Sequence, residues 1–104
     1  MSRQDVFVED GYGSLTFKMT ASDVAQELTE ANVENARGVL VTVEDAAIRV
    51  AYGGTVPTQA GVGHLFGAGD TFTVRHPRSI KTMQFINAVA AANAVLQITV
   101  ETGG

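Results

Sequence analysis

The chain has 104 residues, no cysteine, no tryptophan and a formal charge of −4. That length makes one domain with one core, and the missing thiols exclude a disulfide framework or a cysteine-built zinc site. With seven Lys and Arg against eleven acids, the chain gains little from counterion release, which excludes nucleic acid as its main partner.

The charge is unevenly placed. Residues 1–45 carry nine acids against Arg3, Lys18 and Arg37, whereas residues 46–104 carry Asp70 and Glu101 against Arg49, Arg75, Arg78 and Lys81. Such asymmetry suits docking on an oppositely charged neighbour. Solvated surfaces carry the same imbalance.

In chain order, MSRQDVFVED has no long apolar run after its arginine and predicts neither a secretory signal nor a membrane span. Residues 1–5 are expected to be a loose end, with a short strand at 6–8. LTFKMT (15–20) alternates with period two, setting Leu15, Phe17 and Met19 on one face and Thr16, Lys18 and Thr20 on the other. Ser22 followed by DVAQELTEANVENA predicts a helical turn within 22–35, because a serine cap with acids behind it suits a helix start; an irregular edge crossing is the rival reading. VLVTVE then sets Val39, Val41 and Val43 inward, and AIRVAY sets Ile48, Val50 and Tyr52 opposite Arg49.

The next stretch, 53–70, holds more than half of the chain's glycines. A dinucleotide fingerprint counted from Gly61 finds Gly63 in place, but its sixth residue is Phe66, and the next element is the strand TFTVR rather than a helix. No lysine followed by Ser or Thr completes a phosphate loop. The glycines read instead as joinery. Gly53 and Gly54 end the Tyr52 strand, Pro57 holds the chain extended, Gly63 opens a short strand GHLF, and Gly67-Ala68-Gly69-Asp70 turns into TFTV with Phe72 and Val74 inward. RHPRSIK (75–81) reads as a polar connection, and a strand is expected around Ile80–Ile86. FINAVAAANAVL (85–96) scores as helix by alanine content, yet β patterns flank it and Asn93 sits where a turn is needed, so it reads as strand, loop, strand. VLQITVE closes the chain with Leu96, Ile98 and Val100 inward, and 102–104 are expected to be a loose tail.

Seven to eight strands at this spacing predict an all-β, single-domain fold over 1–104, an antiparallel β-sandwich or jelly-roll-like barrel. The only long apolar run, Phe85 to Leu96, is too short to cross a bilayer, so a soluble protein is expected. Chemistry is scarce. His64, His76 and Asp70 lack the close pairing of metal ligands. Ser79 lies three residues from His76 with no strained elbow, and Glu9-Asp10 and Glu44-Asp45 sit where solvated turn acids belong. No catalytic, metal or cofactor-binding residue is expected, and no enzyme. The remaining feature is a basic cluster, Arg75, His76, Arg78 and Lys81, a candidate contact for acidic groups on a partner.

The order IRVAYGGTVPTQAGVGHLFGAGDTFTV followed by AVLQITVE resembles small β-sandwich virion proteins of tailed bacteriophages. The resemblance is carried by Ile48-Arg49, Gly53-Gly54, Pro57-Thr58, Gly63-His64-Leu65 and Gly67 through Asp70, and reaches back to AQELT at 25–29. It implies a capsid decoration or cement protein without catalytic residues or cofactor. Such a protein would be made in the host bacterial cytoplasm and seated on the capsid surface against the major capsid protein, as a homo-oligomer, with a trimer expected. It implies no nucleic-acid or membrane partner. A tail or head-completion component is the neighbouring alternative. A carbohydrate-binding β-sandwich module is an alternative of another class, disfavoured because the only Tyr residues are Tyr12 and Tyr52 and there is no tryptophan to form a sugar platform.

Overall fold

A computed structural model describes residues 13–28, 33 and 36–102. Eight strands and one helix run in the order β1 (Gly13–Ala21), β2 (Gln26–Glu27), β3 (Ala36–Glu44), β4 (Ile48–Ala51), β5 (His64–Phe66), β6 (Thr71–Val74), α1 (Pro77–Thr82), β7 (Gln84–Asn87) and β8 (Ala94–Thr102). They form two four-stranded antiparallel sheets, ordered β1-β8-β3-β6 and β2-β7-β4-β5. Each consecutive pair, β1 to β2, β3 to β4, β5 to β6 and β7 to β8, passes from one sheet to the other. This wrapped order is that of the eight-stranded jelly roll.

The alternation of the sequence becomes the two faces of the larger sheet. One row runs Phe17, Ile98, Val41, Phe72 across its four strands, and the next runs Lys18, Gln97, Thr42, Thr71. The first faces the other sheet. There Val39, Val41, Val43, Leu96, Ile98 and Val100 meet Ile48, Val50 and Phe85, all buried. Each such side chain contributes about 1.5–3 kcal/mol of burial, which fixes the register, because a one-residue slip would turn the whole set to water. The second row faces out and is rich in threonine. Its hydroxyls pair across strands, Thr42 with Thr71 at 3.3 Å, as do Thr16 and Thr99 in the neighbouring row at 2.9 Å. Phe66 of β5 stacks on Phe72 of β6 at 4.2 Å between ring centroids, closing one open side of the sandwich.

Several expectations are corrected. Residues 22–28 contain no helix: Ser22 and Asp23 lead through a bend into the two-residue strand β2, whose register with Gln84 and Phe85 takes up the backbone groups a helix would have used. The Ser22 hydroxyl does accept from an amide two residues on, Val24 N–H at 3.4 Å, but as a turn rather than a cap. The helical turn expected within 22–35 is borne out at Val33, which is helical, buried and the one described residue of 29–35; what is corrected is its start at Ser22. The expected strand at 6–8 lies outside the described residues. RHPRSIK is not an irregular connection, since Pro77–Thr82 is α1, and the strand after it is confined to Gln84–Asn87. Tyr52 lies beyond the end of β4 and is half-buried, packed against the core as expected. Thr102 is no tail residue: it ends β8, paired with Gly13 on one side and Ala36 on the other. Beside it the register slips between Ala36 and Gly38, a bulge that leaves Arg37 exposed.

Candidate functional site

The wrapped topology sorts the connections into two ends. The short turns 22–25, 45–47, 67–70 and 88–93 share one end and are tied together there. Asn87 N–H donates to Ser22 O, Ala88 N–H to Ala47 O and Gly69 N–H to Val43 O. The long connections, 52–63 and 75–83 among the described residues, leave from the opposite end, where the basic cluster sits.

At that end α1 exists because of local chemistry. Pro77 occupies the first turn, where its fixed φ suits a helix and its missing N–H costs nothing. Lys81 lies in the last turn, favourable to the helix dipole. The helix is only six residues long, too short to stand alone. Ile80 and Met83, both fully buried, pin it to the core beside β3. The other side of α1 is left to solvent: His76, Pro77, Arg78 and Lys81 are exposed, as is Arg75 just before it. His76, Pro77, Arg78, Lys81 and Thr82 line an open cleft of about 480 Å³. Arg37 from the bulge adds a cation to this end, and Glu27 and Glu101 are its described acids. Asp5, Glu9, Asp10, Glu30 and Glu34 lie outside the described residues.

The glycine-rich stretch is a flap laid over the outer face of the smaller sheet. Gly53 and Gly54 reverse the chain with φ of 73° and 85°. The loop then closes on itself through the Thr58 hydroxyl, which accepts from Gly61 N–H at 3.2 Å and Val62 N–H at 2.9 Å. Arg49 projects outward from β4 and clips the flap down, donating to Gln59 O at 3.1 Å and Gly63 O at 3.0 Å. At Gly63, with φ of 118°, a Cβ would come within 3.2 Å of Arg49 Cβ and 3.3 Å of Pro57 Cβ, so only glycine allows this approach. Pro57 is buried beneath the flap. Gly67 and Asp70 form the expected turn: Asp70 Oδ2 accepts from Gly67 N–H at 2.7 Å, Asp70 N–H donates to Gly67 O, and Gly69 takes φ of 94°.

Residues the sequence reading passed over form the most connected polar group. Asp23 Oδ1 accepts from Asn87 Nδ2 at 2.8 Å, Ala91 N–H at 2.9 Å and Gln59 Nε2 at 3.1 Å, and Gln59 also donates to Asn87 Oδ1. The network joins a short turn, the flap and the β7–β8 turn. The Ala91 N–H, then the Asn87 amide, hold the Asp23 carboxyl below the usual carboxylate value, because both donate to its charged form. Asn87 is the one fully buried polar side chain among the described residues. A signal for it was present: alternation puts Asn87 on the same face as Phe85, and a buried amide must find partners.

Among the described residues no group of three or more His, Asp or Glu side chains gathers as metal ligands. His64 is exposed on β5 with its ring 6.1 Å from Tyr52, whose hydroxyl is pushed above its usual pKa by burial. Ser79 lies inside α1, its carbonyl accepting Met83 N–H. The arrangement places the exposed side chains of His76, Arg78 and Lys81 on or beside a helix held to the core, next to an open cleft. No protein-family model, curated protein or solved structure matches the chain.

Proposed function

We propose that the protein is a non-enzymatic structural subunit of a virion, a decoration or cement protein on the outer surface of a tailed-phage head, docked on the major capsid protein through the α1 end. The observation that carries this reading is the division of labour among polar groups. Asp23, Gln59, Asn87 and Arg49 are spent on fastening connections to one another, whereas His76, Arg78 and Lys81 stand exposed on a helix held by two core side chains. Cations mounted on a pinned helix suit an acidic neighbour, since little backbone freedom remains to be lost on contact. Jelly rolls serve in viral shells as well as in lectins and cupins, so the fold is compatible with the role without selecting it. The oligomer is a trimer in this reading, and the site of action is the capsid surface.

The test is reconstitution on heads that lack the subunit. The purified protein is expected to bind at a fixed copy number relative to the major capsid protein and to raise the temperature at which heads release DNA. Arg78→Glu with Lys81→Glu, in a protein still folded by circular dichroism, is expected to weaken attachment by at least about tenfold, as for a central interface pair. A native protein that fails to bind heads overturns the reading.

A further inference from the structure

The short-turn end is built to be covered. Val24 and Val89 protrude from it, 69% and 60% exposed, and Ala68, Ala90 and Ala91 are exposed around them. Small and β-branched side chains at such an end have little rotamer freedom to lose on contact, and hydrogen bonds between its turns hold it rigid. Its rim is acidic: Glu44, Asp45 and Asp70 are exposed, and no Lys or Arg occurs in any of the four turns. The α1 end offers the complement. The open cleft there is lined by His76, Pro77, Arg78, Lys81 and Thr82, three of them basic side chains.

We propose that the short-turn end of one copy docks on the α1 end of a second copy. Val24 and Val89 enter the cleft, and Glu44, Asp45 and Asp70 face Arg78 and Lys81. Because the two surfaces lie at opposite ends of the jelly roll, the contact is head-to-tail. Each added copy presents one free surface of each kind, so the assembly grows into an open file whose first copy keeps its α1 end free for the shell. The inference goes beyond attachment to a shell and rests only on the chain's own two ends.

Sedimentation velocity on the full chain tests it, using two variants of exposed residues. One neutralises the short-turn end, Glu44→Gln with Val89→Gln; the other neutralises the α1 end, Arg78→Gln with Lys81→Gln. Across about 1–100 µM, the range of a moderate contact, the native protein is expected to gain mass with concentration and to lose it in high salt. Each variant alone is expected to self-associate at least about tenfold more weakly, as when a central contact is removed. Their equimolar mixture is expected to stop at a one-to-one dimer, since it holds one intact surface of each kind. A monomeric native protein, a variant that associates as strongly as native, or a mixture that stays monomeric overturns the inference. Head binding by a monomeric native protein would overturn it, and the trimer with it, while leaving attachment to the shell through the α1 end intact.

Discussion

The two ends of the jelly roll are fastened by opposite means. At the short-turn end the anchor is polar: a buried amide, Asn87, and a carboxylate, Asp23, collect donors from three separate segments. At the α1 end it is apolar, two fully buried side chains, Ile80 and Met83, under a helix whose outer side is cationic. A polar anchor is directional and fixes turn geometry, including Ala91 at a φ of 67° that alanine rarely adopts. An apolar anchor is insensitive to charge and does not consume the exposed side chains of Arg78 and Lys81 on the outer side of the helix. The difference teaches why the cations of the helical end stand exposed while the richer hydrogen-bond network at the other end is turned inward on the fold.

The largest expected effect sharpens this contrast at the helix. Ile80→Ala removes an apolar anchor and is expected to cost about 2–5 kcal/mol in denaturant unfolding. Hydrogen exchange should rise over 77–82 before it rises at 88–93. Equal exchange gains at both ends would mean that the anchors are not separate. Next in size, Asn87→Ala removes the buried amide and strips partners from Asp23 and Gln59; about 1–3 kcal/mol is expected. Here the exchange gain should fall on the flap and on 88–93, with α1 unchanged.

The smallest effect is a pH dependence confined to the polar anchor. The Asp23 carboxyl is held below its ordinary value in the folded state. Its stabilisation is therefore complete above the unfolded value near pH 4 and is lost as pH falls through the lower folded value. Asp23→Asn is expected to flatten the acid limb of a plot of melting temperature against pH, while Lys81→Ala should leave that limb as it is. An unchanged acid limb in Asp23→Asn would detach the network from stability.

Legibility in the sequence tracks the range of the interaction. The nine-residue strands β3 and β8 declare themselves because period-two alternation over that length has no helical rival, and Val39, Val41, Val43, Leu96, Ile98 and Val100 are buried as expected. The turn glycines are equally legible, since their φ values are local matters. Six residues of α1 are too few to show a helical period, although Pro77 at its first turn was a cue. Ser22 imitated a cap because the same hydroxyl that starts a helix also closes a turn. The Asp23–Asn87 bond joins residues 64 apart in sequence, and only the wrapping of the chain brings them together. The basic cluster was visible as composition; its mounting on a helix pinned to the core was not.

The pairing of Gly13 with Thr102 has a practical consequence. The first and last of the continuous described strands in sequence, β1 and β8, therefore have these two residues one strand spacing apart. A short peptide bridge could join them and the backbone be reopened at Ala68, giving a circular permutant with both new termini at the short-turn end. Cargo fused to that permutant would be displayed from the short-turn end.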